Sequence, residues 1–107
     1  MRIELVFDDQ GMELIEELKG LTGIKTYKEL FNNSITLFDW AVVQSIQGRL
    51  VTSLDEQEKN YKQLVMPSLQ NAGRLNDHAK QEVLSRRHAA NAFATKRKEF
   101  EVAKVGG

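Results

Sequence analysis

The sequence predicts a mainly α-helical protein in which one short N-terminal strand pairs antiparallel with the same strand of a second copy, two core helices follow, and further helices lie toward the C-terminus. Three observations predict this. Residues 2–7 alternate, with apolar Ile3, Leu5 and Phe7 on one side and Arg2, Glu4 and Val6 on the other, which is the period-two pattern of a strand with one buried face. No second alternating run follows at hairpin distance, and an unpaired strand edge is a liability, so the simplest partner is the strand's own copy. Two apolar patterns at helical spacing come next, and some fifty residues cannot bury that much apolar surface alone.

The first helix is announced by Asp8 and Asp9, whose short carboxylates suit an N-cap. From about Met12, the residues Met12, Leu14, Ile15, Leu18 and Leu21 recur at three- and four-residue spacing, with Glu13, Glu16, Glu17 and Lys19 mainly on the solvent side. Gly20 and Gly23 weaken the pattern, so the helix should stop near Leu21 or Thr22. Thr26-Tyr-Lys-Glu29 then reads as a capping box opening a second helix. Its apolar positions Tyr27, Leu30, Phe31, Leu37, Phe38, Ala41, Val42 and Ile46 keep helical spacing until Gly48. The consequence is an obligate dimer whose strands pair and whose second helices cross. Its expected core is Ile3, Leu5, Phe7, Leu30, Phe31, Leu37, Phe38 and Ala41.

Beyond Gly48, residues 49–54 look extended, and Asp55 to Val65 returns to helix-compatible residues. Pro67 breaks or restarts that helix, and Asn71-Ala-Gly73 reads as a stop. From Asn76, itself a plausible cap, the chain is rich in Ala, Lys, Arg and Glu. Its apolar stripe of Leu75, Ala79, Val83, Leu84, Ala90, Phe93, Ala94 and Phe100 is thin, so this tail should gain order against a partner or a second subunit. Val105-Gly-Gly107 should fray. The expected organisation is therefore 1–48 as the dimerisation domain, 49–73 as an accessory segment and 74–107 as a basic, Ala-rich helical or partly disordered tail.

Composition narrows the function classes. The chain holds no cysteine, which removes disulfide scaffolds and thiolate zinc sites and fits a reducing cytoplasm. No apolar run approaches the ~20 residues that span a bilayer, and Met1-Arg2 leads into acidic residues rather than a secretory signal, so a cytoplasmic protein without a membrane partner is expected. The zero net charge hides an asymmetry. Residues 1–73 carry seven Lys/Arg against eleven Asp/Glu, a net of −4, and residues 74–107 carry eight against four, a net of +4.

Catalytic signals are missing from the sequence. His78 and His88 lie ten residues apart with no ligand pattern around them, and there is no Gly-rich phosphate loop or nucleophile elbow. The pairs Glu16-Glu17 and Asp55-Glu56 are sequence neighbours, which do not share a helix face. No enzyme activity, cofactor or metal is expected.

One strand followed by two helices at the N-terminus resembles the ribbon-helix-helix family of dimeric DNA-binding proteins. The resemblance rests on residues 2–7, the helix after Asp8 and Asp9, the Gly23-Ile-Lys-Thr26 turn and the second helix to about Gln47. It implies an antiparallel two-stranded ribbon in the major groove of double-stranded DNA, with outward strand residues reading base edges. Arg2 would then bond guanine O6 and N7, Glu4 would accept from cytosine N4, and Val6 would touch a thymine methyl. At the second helix start, the amides of Tyr27 and Lys28, the Thr26 hydroxyl and the charges of Lys25 and Lys28 would hold a phosphate.

The expected function is a homodimeric, sequence-specific transcriptional regulator, acting as a repressor and assembling further on tandem sites. Arg86, Arg87, His88 and Lys96-Arg-Lys98 most simply form a solvated helix face. The layout also resembles bacterial antitoxins, which gives the alternative of a toxin-binding tail with a protein partner. A third reading is a dimeric adaptor that does not bind DNA, which Glu4 and the acidic first helix would suit.

Overall fold

The computed structural model describes residues 1–97, with side-chain surroundings through Arg87. It is mainly helical with one small antiparallel sheet, in the order α1 (Asp9–Thr22), α2 (Tyr27–Ile46), β1 (Thr52–Asp55), β2 (Asn60–Gln63), α3 (Pro67–Gly73) and α4 (Asp77–Arg97). The chain divides into two compact units, Met1–Ser34 and Ile35–Gly107, with the division falling inside α2.

In the first unit, α1 starts three residues earlier than the apolar pattern suggests. Asp8 is extended (φ −74°, ψ 178°), and its Oδ1 accepts from the Gly11 amide at 2.7 Å, satisfying one of the free donors of the first turn. The helix ends at Gly23, whose φ of 75° is left-handed and open to glycine at no steric cost. Ile15 and Leu30 are its buried apolar residues. Phe7, immediately before the cap, stacks on Phe31 with ring centroids 6.3 Å apart. Gly11 makes room for this, because a Cβ there would sit 3.3 Å from Phe7 Cβ.

The expected strand at residues 2–7 is not formed. Residues 1–8 carry no regular structure, and the two strands among the described residues pair with each other. The physical reason is that a strand exists only through its ladder of inter-strand hydrogen bonds, and among the described residues no second strand lies beside residues 2–7.

In the second unit the expectation of a helix over Asp55 to Val65 is wrong. That stretch forms a hairpin with Leu54 opposite Tyr61, Ser53 opposite Lys62 and Asp55 opposite Asn60. Glu56-Gln-Glu-Lys59 favours helices by composition, but Asp55 Oδ1 accepts from the amides of Gln57 (3.1 Å) and Glu58 (3.3 Å), which turns the chain instead. Lys59 completes the turn at φ 57°. Both strands are exposed along their length.

Pro67 opens α3 at its first turn, where a missing N–H costs nothing. Asn76 caps α4 through Oδ1, which accepts from the Ala79 amide at 2.8 Å. The buried residues of this unit are Ala41, Ile46 and Leu69. α3 passes so close to α2 that a Cβ on Gly73 would meet the Ser45 carbonyl oxygen at 3.3 Å. Arg87 Nη2 lies 2.8 Å from Asp39 Oδ1 and ties α4 to α2. Both partners are substantially exposed, so this pair contributes at most about 1 kcal/mol. The expected fraying of residues 105–107 and the Lys98 and Phe100 positions lie outside the described residues, as do the side-chain environments of His88, Lys96 and Arg97.

Candidate functional site

The three residues expected to read bases, Arg2, Glu4 and Val6, are all exposed, Val6 at 90%. Their apolar counterparts are not hidden either: Ile3 is 71% and Leu5 58% exposed. Burial within one chain therefore does not separate the two faces of this segment. Only Phe7 is anchored, through Phe31, and it holds the segment's C-terminal end against the start of the two-helix unit.

The expected phosphate-binding residues converge at the N-terminus of α2. Thr26 Oγ1 accepts from the Glu29 amide at 3.1 Å, and its carbonyl accepts from Leu30 at 3.1 Å. Tyr27 and Lys28 are the first two helical residues, so their amides have no acceptor within the helix. Such free amides, together with the positive end of the helix dipole, suit an anion. Lys25 and Lys28 are exposed, and neither pairs with a carboxylate among the described residues.

The Tyr27 side chain has another task. Its hydroxyl donates to Glu16 Oε1, and Lys19 Nζ sits 4.2 Å from the ring centroid and 3.7 Å from Glu16 Oε2. This cluster joins α1 to the first turn of α2. The hydrogen bond to Glu16 raises the Tyr27 pKa above its ordinary value, with further upward contributions from burial and from the carboxylate's charge. Any contact of Tyr27 with a phosphate is thus left to its backbone amide.

Of the expected dimer core, Leu30 and Ala41 are already buried in their own chain, and Phe31 is half-buried under Phe7. Leu37 and Phe38 remain exposed on α2, beside Ile35 at 67%. On α1, Leu14, Leu18 and Leu21 form a second uncovered stripe, spaced four and three residues apart. These positions adjoin the Ile15 face around the helix, so α1 has a broader apolar sector than its own unit covers.

A cleft of about 220 Å³ opens between the end of α2, the base of the hairpin and α3, with Arg49 among its lining residues. It depends on the hairpin, whose one local sign in the sequence is Asp55 placed two and three residues before the amides of Gln57 and Glu58. Among the described residues no group of three or more His, Cys, Asp or Glu is placed to hold a metal ion, and no helix is long and apolar enough to cross a membrane. Comparison with protein-family models, with curated proteins and with solved structures finds no match for this chain.

Proposed function

We propose that this chain is a homodimeric, sequence-specific DNA-binding regulator of the ribbon-helix-helix type that represses transcription, with residues 2–7 of two copies forming an antiparallel ribbon in the major groove. One observation carries the reading. Ile3 and Leu5 alternate as a buried strand face should, yet both are more than half exposed and, among the described residues, no strand pairs with them. A second copy supplies both the missing hydrogen-bond ladder and the missing cover. The uncovered stripe Leu14, Leu18 and Leu21 on α1 and the pair Ile35 and Phe38, one turn apart on α2, point the same way, since exposed apolar surface of this kind marks an interface.

In this reading Arg2, Glu4 and Val6 face the bases, and the N-terminus of α2 holds the backbone through the Tyr27 and Lys28 amides, with Lys25 and Lys28 adding charge. Thr26 fixes the helix end that carries those amides. The first 73 residues are net acidic, so affinity depends on these few cations.

The test is retention of duplexes from a random pool in an electrophoretic shift assay, followed by a salt titration. Bound duplex with affinity falling steeply as salt rises is expected. Arg2→Ala should then weaken the selected site by about 1–3 kcal/mol, the worth of a bidentate guanine contact, and relax preference at one position. No duplex retained at low salt would overturn DNA binding and leave the dimeric adaptor.

A further inference from the structure

We propose that the cleft between the end of α2, the base of the hairpin and α3 binds a small monocarboxylate with a short aliphatic chain. The walls are set by packing that fixes their separation. Gly73 lets α3 approach the Ser45 carbonyl, and the Leu64 amide donates to Val51 at 2.7 Å, extending the hairpin ladder to the cleft. Apolar Val51, Leu64, Met66 and Leu69 line it. The remaining polar side chains, Ser45, Gln63 and Gln70, are neutral, so Arg49 is the one charged residue in the lining.

Arg49 is exposed at the edge of the cleft and is not neutralised. Its backbone amide donates to the Gln44 carbonyl at 2.9 Å. Its Nη1 donates to Gln47 Oε1 at 3.0 Å and lies 3.4 Å from Gln44 Oε1. Both partners are amides, and no carboxylate pairs with the guanidinium among the described residues. Nε and Nη2 therefore keep donors for a planar anion, which a guanidinium fork matches in geometry.

Charge and size define the ligand class. A single cation balances a single negative charge, whereas a phosphate dianion would bring an unbalanced charge against Val51 and Leu69, which is costly. A volume of about 220 Å³ falls below the range of drug-sized pockets, so the ligand is small. An acid of about six carbons fits both limits, its carboxylate on Arg49 and its chain along the apolar wall.

The inference is independent of DNA binding, and its test uses the full chain without duplex. Isotope-labelled protein is titrated with hexanoate, with neutral hexan-1-ol and with inorganic phosphate while amide shifts are followed. Saturable shifts around Val51, Leu64 and Leu69 are expected with hexanoate, with hexan-1-ol weaker by about tenfold or more and phosphate weaker still. Arg49→Gln should remove the hexanoate advantage and leave hexan-1-ol unchanged, and Arg49→Lys should restore part of it; unperturbed spectra of both variants confirm that they fold. Equal affinity for hexanoate and hexan-1-ol, tighter binding of phosphate at the same residues, or no saturable shift at millimolar hexanoate would overturn the proposal.

Discussion

Replacing Leu5 by aspartate is expected to turn the proposed dimer into a monomer and to abolish the proposed duplex retention in the same step, while leaving the helices of each chain intact. In the single chain Leu5 is 58% exposed, so a carboxylate there costs the isolated fold little. In the proposed ribbon the same side chain would lie on the covered face. Each copy then loses about 1.5–3 kcal/mol of leucine burial and takes on the penalty of an unpaired buried carboxylate. Counted for two copies, a loss above about 6 kcal/mol raises the dimer dissociation constant by more than about 10⁴-fold. Sedimentation at micromolar concentration, with helicity followed by circular dichroism, checks this. An unchanged dimer would place the interface elsewhere, and loss of helicity would mean that the segment stabilises each chain directly.

The second large effect separates two kinds of core residue on one helix. Leu30 is 7% exposed within its own chain and Leu37 is 53% exposed. Leu30→Ala should therefore cost about 2–4 kcal/mol, because it removes apolar burial and leaves a cavity that neighbours fill only in part. Leu37→Ala should be nearly silent for a monomer, within about 0.5 kcal/mol, but cost about 1–2 kcal/mol in a dimer that covers it. That cost should appear as a shift in the concentration dependence of unfolding, since association stabilises by mass action. Denaturant curves of both variants at two protein concentrations suffice. A Leu37→Ala variant indistinguishable from the parent at every concentration would remove α2 from the interface.

The helix ends were the most legible part of the sequence, because each depends on a local bond that its letters announce. Asp8 caps α1 through Gly11, Thr26 caps α2 through Glu29, Asn76 caps α4 through Ala79, and Pro67 starts α3. The hairpin was not legible. Its turn is written in Glu, Gln and Lys, which favour helices, and its direction is decided by two bonds to Asp55 and by a lysine in a left-handed conformation that no residue-type preference predicts. The cleft beside it went unread for the same reason. Residues 2–7 present a different difficulty: their alternation states a preference for a ladder, but among the described residues no strand pairs with them, and in the proposed dimer the ladder would come from a second copy. The Tyr27, Glu16 and Lys19 cluster was likewise unreadable, since it depends on how α1 and the start of α2 face each other.

The absence of cysteine from all 107 residues allows a direct test of the ribbon. Single substitutions Ile3→Cys, Glu4→Cys, Leu5→Cys and Val6→Cys, each oxidised in solution, report whether two copies meet there. Facing Cα atoms in an antiparallel pair lie about 4.5–5.5 Å apart, within the ~4.4–6.8 Å that a disulfide spans. Opposed residues in an antiparallel pair share a face, so the two-fold axis passes through a single residue near the middle of 2–7, and covalent dimer should peak at Glu4→Cys or at Leu5→Cys and decline on either side. If none of the four positions forms more covalent dimer than Glu58→Cys at the exposed hairpin turn, the two segments do not pair and the ribbon does not exist.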